Sequence, residues 1–155
     1  MADKKISVEL MKEVREITGA QIMRVKQVLE EQKGDKDAAI EILKQEKNAK
    51  MDKRTDRETS AGIIKSYVHH NQKVAVIVEL LAETDFVTSN ELFQTFGDNV
   101  ALQIASMNPE NVEELLKQDF IKDPSKTIED LLKEITAKTS ENAKIGRFSR
   151  LEVGE

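Results

Sequence analysis

The chain has 155 residues, of which 34% are charged and 39% apolar, with a formal net charge of −5 and no cysteine. This length fits one domain or two small ones, and the composition is typical of a soluble, helix-rich globular protein. The lack of cysteine excludes disulfides, thiol catalysis and zinc–thiolate sites, and the mixing of acidic with basic residues argues against direct nucleic-acid binding.

The first 50 residues predict a bundle of three short helices, each with apolar residues at helical spacing. These residues are Leu10, Val14 and Ile17 in the first helix, Ile22, Val25 and Leu29 in the second, and Ala38, Ala39, Ile42 and Leu43 in the third. Gly19 is expected to end the first helix, and Thr18 with Gln21 resembles a capping box for the second. We expect Asp35 to cap the third.

The first ten residues do not show the pattern of a targeting segment. Their sequence, MADKKISVEL, lacks the continuous apolar stretch of a signal peptide. No other stretch is apolar over enough residues to span a bilayer. We therefore expect a cytoplasmic protein.

Residues 51–60 are almost entirely polar and separate the bundle from the rest of the chain. Such a stretch is typical of a linker or a solvated helix. We place the domain boundary there, with residues 1–50 as the helical bundle and residues 61–155 as the core domain.

The core domain is predicted to begin with a β-hairpin, formed by GIIKSYVHH and KVAVIVELLA around a turn at His70–Asn71–Gln72. The second strand alternates between two apolar faces. One face carries Val74, Val76, Val78 and Leu80, and the other carries Ala75, Ile77 and Leu81. We therefore expect this strand to be central and buried on most of both faces.

The remainder predicts further helices and a last strand. Phe93, Phe96, Val100, Ile104 and Met107 form a helical stripe that ends before Pro109. Thr88 with Glu91 would cap this helix, and Thr127 with Asp130 would open a later one, with helical turns over 111–118 between them. In the closing segment Ile145, Leu151 and Val153 share one strand face, and Phe148 requires a bulge or burial of both faces. This order predicts an α+β protein with a three-stranded antiparallel sheet.

Catalytic and metal-binding patterns are absent from the sequence. His69 and His70 are adjacent, and neighbouring strand residues point to opposite faces, so the two do not share one metal ion. There is no glycine-rich phosphate loop and no nucleophile elbow. We expect neither an enzyme nor a bound cofactor.

Phe86 stands out because it lies in a polar segment directly after an apolar strand, in ELLAETDFVTSN. Two interpretations are open from the pattern alone. The ring folds back into the core, as large apolar side chains usually do, or it is held outward as a contact for another molecule.

Residues 69–94, HHNQKVAVIVELLAETDFVTSNELFQ, closely resemble the elongation factor Ts family of bacteria. The T-D-F-V tetrad after a V-E-L-x-x-E strand is specific to that family. Residues 14–44 resemble its N-terminal bundle, which is similar to ubiquitin-associated domains, and residues 138–155 resemble its last helix and strand. Nearly the whole chain is covered.

The resemblance implies a guanine nucleotide exchange factor that binds the GDP form of elongation factor Tu and promotes GDP release. It assigns Thr84, Asp85, Phe86 and Val87 to a loop that disturbs the magnesium and nucleotide site of the partner. In this hypothesis Phe86 acts as a wedge, and Asp85 anchors the loop through polar contacts. The resemblance also implies that Arg15, Ile22 and Met23 contact the nucleotide-binding domain of the partner.

The chain departs from the family pattern in two ways. Its residues 18–24 read TGAQIMR where the family often has T-G-A-G-M-M-D, so Arg24 reverses a charge. It also lacks the additional core repeat and the helical hairpin of longer members. Because a half-sized core leaves part of its sheet uncovered, we expect a symmetric homodimer through the sheet of the core domain.

Other functions are compatible with parts of the sequence. The bundle could serve as an adaptor for ubiquitin-like or other helical partners, which leaves the T-D-F-V segment unexplained. A degenerate family member would bind elongation factor Tu without efficient exchange. An enzyme using His69, His70 and the neighbouring acids lacks the residues that such chemistry requires.

Overall fold

The computed structural model describes residues 6–155, apart from the side chain of Met51. Residues 1–5, part of the segment considered for a signal peptide, lie outside the described residues. The chain divides into two compact units, one up to Asp52 and the other from Lys53 to Glu155. Across the described residues, no helix is both long and apolar enough to cross a membrane.

The first unit contains three helices: α1 (Val8–Thr18), α2 (Ile22–Glu31) and α3 (Lys36–Thr55), the last of which extends past the boundary between the units. Its core consists of Val14, Val25, Val28, Leu29, Ala39 and Leu43. The predicted bundle is confirmed. Ile17 differs from the expectation for its stripe, because about half of its side chain is exposed.

Two of the three predicted caps in this unit are confirmed. Gly19 adopts φ 68°, a left-handed conformation that glycine accommodates readily, and its N–H donates to the Arg15 carbonyl at 2.7 Å. The Asp35 carboxylate accepts from the Ala38 N–H at 3.1 Å. The Thr18–Gln21 capping box is wrong, because the buried Thr18 hydroxyl donates back to Val14 at 2.7 Å and Gln21 makes no side-chain cap.

The second unit combines helices with two sheets. Its elements are β1 (Ala61–Val68), β2 (Val74–Ala82), α4 (Asp85–Thr88), α5 (Glu91–Met107), α6 (Val112–Lys117), β3 (Asp119–Phe120), β4 (Asp123–Thr127), α7 (Ile128–Thr139) and β5 (Ala143–Glu152). The larger sheet is antiparallel in the order β1-β2-β5, and β3 pairs with β4. The α+β class, the hairpin and the central position of β2 are therefore confirmed.

One face of the large sheet forms the core of this unit. Val76, Val78 and Leu80 are buried in one apolar cluster with most of the stripe of α5, namely Phe93, Phe96, Val100 and Ile104. Met107, the last residue of the predicted stripe, is instead half exposed. The opposite face of β2 is not buried as predicted, since 54% of Ile77 is exposed. No element of this unit packs over that face. The alternating apolar pattern of the strand does not show whether a second layer of structure covers it.

The strand β5 contains the predicted bulge. Val78 pairs with Phe148 and Leu80 pairs with Ile145, so Gly146 and Arg147 lie opposite the single residue Glu79. A Cβ atom at Gly146 would lie 2.5 Å from Glu79 Oε2, so a larger residue there would require the Glu79 side chain to move. The bulge brings Phe148 to the core side, together with Ile145. The expectation that Ile145, Leu151 and Val153 share one face is therefore wrong, because Leu151 is exposed on the opposite face and Val153 follows the end of β5.

The start of α5 differs from the prediction. Thr88 is the last residue of α4, where its hydroxyl donates to the Asp85 carbonyl at 3.1 Å, so the Thr88–Glu91 capping box is wrong. Asn90 caps α5 instead, accepting from the Leu92 N–H at 2.8 Å. The capping box of α7 is confirmed, with Thr127 and Asp130 each accepting from the other's backbone N–H.

Candidate functional site

Phe86 lies on a single helical turn that leaves the end of the central strand. Strand β2 ends at Ala82, and α4 begins at Asp85 and holds four residues. The side chain of Phe86 is 82% exposed, whereas that of its neighbour Val87 is 4% exposed and packs in the core. The turn therefore has one face in the core and the other, with Asp85 and Phe86, in solvent.

The two ends of this turn are tied to the rest of the unit. At the start, the Glu141 carboxylate accepts from the Thr84 hydroxyl at 2.8 Å and from the Thr84 N–H at 3.1 Å. The same hydroxyl accepts from the Val87 N–H at 3.4 Å and so caps α4. At the end, the Gln94 amide donates to the Thr88 carbonyl at 2.7 Å.

A second set of bonds fixes the residue before the turn. The Glu83 carboxylate accepts from the Asn142 N–H at 2.6 Å and forms an ion pair with Arg57 at 3.5 Å. Asn142 is buried, and its amide donates to the carbonyls of Thr55 and Arg57 at 3.2 and 2.7 Å. The segment between α7 and β5 is thereby held against the end of β2.

Asp85 differs from its neighbours because its side chain takes no part in these hydrogen bonds and ion pairs. Among the described residues, no hydrogen bond or ion pair reaches its carboxylate. Its backbone carbonyl accepts from the Ser89 N–H at 3.0 Å, which closes the turn. Within this unit the turn is held through Thr84, the buried Val87 and the Gln94–Thr88 bond, and not through the Asp85 side chain.

The residues assigned in the first unit surround the connection between α1 and α2. Met23 is 72% exposed, and Ile22 and Arg15 are also exposed. Ile17, which the sequence pattern assigned to the core, adds a further exposed apolar side chain at the end of α1. The connection itself is well defined, because Thr18 is buried and Gly19 closes α1.

Arg24, the charge-reversed position, is engaged within its own unit. Its guanidinium forms a hydrogen-bonded ion pair with Glu46 of α3 and a longer contact with Glu31 at 3.6 Å. The hydrogen bond from Arg24 lowers the pKa of the Glu46 carboxyl, and the same bond raises the pKa of Arg24. The pair ties α2 to α3 one residue after Met23.

The two histidines show no arrangement for metal binding. His69 Nδ1 is hydrogen-bonded to the Tyr67 hydroxyl at 2.9 Å, and its ring lies tilted against that of His70. Over residues 6–155, no group of three or more metal-ligating side chains comes together. Independently of this, both units expose large apolar side chains, among them Met23 in the first and Phe86 in the second.

The resemblance named Phe86, Ile22 and Met23 as contact residues, but the sequence pattern left the exposure of Phe86 open and gave no sign of the residues that hold the turn. Glu141 and Asn142 lie 57 and 59 residues from their partners along the chain. No local pattern marks such a pair, and only the packing of β5 against β2 brings them together.

An exposed aromatic ring on a turn that is fixed to an α+β core is typical of surfaces that bind other proteins. Comparison with known proteins specifies the class. Residues 83–155 match the family model described as elongation factor TS. The chain is 38% identical to elongation factor Ts of Thermosipho melanesiensis, covering 97% of this chain and 100% of that protein.

Two other relatives agree. Elongation factor Ts of Nitratidesulfovibrio vulgaris is 37% identical, covering 96% of this chain and 97% of the relative. Elongation factor Ts of Clostridium kluyveri is 43% identical over 97% of this chain but only 49% of its own length. The chain therefore belongs to the elongation factor Ts family. Members of this family are nucleotide exchange factors for elongation factor Tu, and they are not catalytic enzymes.

Proposed function

We propose that this protein accelerates GDP release from elongation factor Tu by inserting Phe86 into the GTPase near its magnesium and nucleotide site. The observation that supports this most directly is the contrast between an 82% exposed Phe86 and a 4% exposed Val87. Exposing a large aromatic ring to water is unfavourable, and a partner that covers it removes that cost. The place of action is the cytoplasm, where translation occurs.

The energetics require more than one contact. Weakening GDP binding a thousandfold needs about 4 kcal/mol of coupling, and GDP weakens the binding of the factor by the same amount. Covering one phenylalanine contributes about 1.5–3 kcal/mol. Phe86 therefore acts together with other contacts.

Each of the four residues Thr84, Asp85, Phe86 and Val87 has a part in this proposal. Phe86 supplies the wedge, and the exposed Asp85 carboxylate meets polar groups of the partner. Thr84 and Val87 hold the turn, because Thr84 is bonded to Glu141 and Val87 is buried in the core.

The first unit supplies the remaining binding energy in this proposal. Ile22 and Met23 present apolar surface to the nucleotide-binding domain of elongation factor Tu, with Arg15 as a charged neighbour. Methionine suits such a contact because its side chain adapts to irregular surfaces. Nucleotide exchange then depends on contacts from both units, whereas binding to elongation factor Tu without exchange requires fewer contacts.

Stopped-flow release of fluorescent GDP from the cognate elongation factor Tu, with and without this protein, tests the proposal. Acceleration that saturates with the concentration of the factor is expected. Binding without acceleration would replace the proposal with that of a degenerate family member or an adaptor.

We also propose that two copies of the chain associate through the outer face of the β1-β2-β5 sheet. Val68, Ala75 and Leu151 lie opposite one another across the three strands and form a continuous apolar row. Val68 and Leu151 are largely exposed, as are Ile64 and Ile77 on the same face. Contiguous apolar surface of this kind is unusual on a monomer. A two-fold axis would cover the face in both copies at once.

Sedimentation equilibrium tests the dimer, with Ile77→Lys as the variant. Because the Ile77 side chain is half exposed, lysine at this position should leave the fold intact and place two charges in the interface. Ser106→Lys, at an exposed position of α5, provides a charge-matched control. A monomeric native protein at micromolar concentration would contradict the proposal.

A further inference from the structure

We infer that Glu141 is a positioning residue for nucleotide exchange, which holds the Phe86-bearing turn through Thr84. This inference rests on the proposed function, because it gives Glu141 a role only if Phe86 acts on the partner. Glu141 itself lies at the junction of α7 and β5, outside the turn.

The geometry shows that one carboxylate restrains the beginning of the turn. Its two oxygens accept separately from the Thr84 hydroxyl at 2.8 Å and from the Thr84 N–H at 3.1 Å. Two bonds to one residue restrain both its position and its orientation, and bonds to an ionised acceptor are stronger than neutral ones. The Thr84 hydroxyl is thereby oriented to accept from the Val87 N–H.

The backbone around Glu141 is itself fixed by neighbouring residues. Ser140, directly before it, adopts φ 60° and turns the chain out of α7. The Glu141 N–H donates to the Thr139 hydroxyl at 3.4 Å, and the next residue, Asn142, is buried and bonded to Glu83. The carboxylate is therefore presented from a fixed backbone.

The turn needs this restraint because it is short. A helix of four residues does not pay the cost of its own nucleation and depends on tertiary contacts. Val87 secures the inner face, and Gln94 secures the end at Thr88. Without Glu141 the first residues of the turn are free to unwind while the core stays packed.

Loss of Glu141 should therefore lower exchange without unfolding the protein. An ordered Phe86 enters the partner at a lower entropic cost than a mobile one. We expect Glu141→Ala to reduce the maximal rate of GDP release about fivefold, with a smaller change in the half-saturating concentration of the factor. Glu141→Gln should restore part of the rate, because its amide oxygen accepts one of the two bonds.

The mobility of the turn can be measured independently of exchange. The chain has no tryptophan, so Phe86→Trp places a single fluorophore on the turn. Nanosecond anisotropy decay is then compared between Phe86→Trp alone and its combination with Glu141→Ala. Glu129→Ala serves as the control, because it removes the same charge at the opposite end of α7, where Glu129 pairs with Lys133.

Increased local motion together with slower exchange, both specific to Glu141→Ala, would support the inference. Unchanged anisotropy would overturn it, and so would increased motion with a normal exchange rate. The proposed function is tested separately by Phe86→Ala in the native background. If that variant exchanges normally, the wedge is refuted whatever the anisotropy at position 86 shows.

Discussion

Replacing Phe86 by alanine tests the proposed mechanism most directly. The side chain is 82% exposed, so its removal takes little from the packing of the protein itself. Substitutions at such positions usually change the free energy of unfolding by about 0.5 kcal/mol or less. A loss of exchange in this variant would therefore report on the contact with the partner.

The size of the effect follows from the exposed area. Covering a whole phenylalanine contributes about 1.5–3 kcal/mol. With 82% of the side chain available to the partner, about 1.2–2.5 kcal/mol depends on the ring. At about 1.4 kcal/mol per factor of ten, the alanine variant should release GDP about seven- to sixtyfold more slowly.

The assay is stopped-flow release of fluorescent GDP from elongation factor Tu over a range of factor concentrations. Met107→Ala is a matched control, since Met107 is half exposed at the far end of α5 from the turn. The control should exchange at the native rate. An unchanged rate in Phe86→Ala, with the fold verified by circular dichroism, would refute the wedge.

Three further predictions concern the stability of the two units. Gly97→Ala should lower the free energy of unfolding by about 1–3 kcal/mol in denaturant titration, because its Cβ would lie 2.5 Å from Leu80 Cδ1. Thr127→Ala should cost about 1 kcal/mol in the same measurement by removing the cap of α7. The lowered pKa of Glu46 predicts that its pair with Arg24 stabilises the first unit above the ordinary glutamate pKa of about 4.3. Hydrogen-exchange protection in α2 should fall as the pH drops through the lower folded value, and Glu46→Gln should abolish this dependence.

Features encoded within three or four neighbouring residues could be predicted from the sequence. Gly19 ends α1, Asp35 caps α3, and Thr127 with Asp130 forms the capping box of α7. Each depends on a backbone group and a side chain within one helical turn. The hairpin and the helical stripes follow equally from local periodicity.

Sequence patterns fail to predict the structure where two helix caps compete or where the burial of a side chain depends on distant elements. Thr88 and Asn90 both suit the start of a helix, and the extra turn α4 takes Thr88 and leaves Asn90 as the cap. Ile77 lies in an apolar strand, yet no element of its unit covers it. The short β3–β4 pair was not predicted, because strands of two and five residues carry too little alternation to recognise.

In the candidate site, too, the sequence determines some features and the tertiary structure decides the others. Its residue types were evident from T-D-F-V, but the pattern left open whether Phe86 is buried or exposed. The tertiary structure decides this by burying Val87 in the core and bonding Thr84 to Glu141, which lies 57 residues away in the sequence. Local signals extend over one turn of chain, whereas the direction in which a side chain points depends on which distant segments pack beside it.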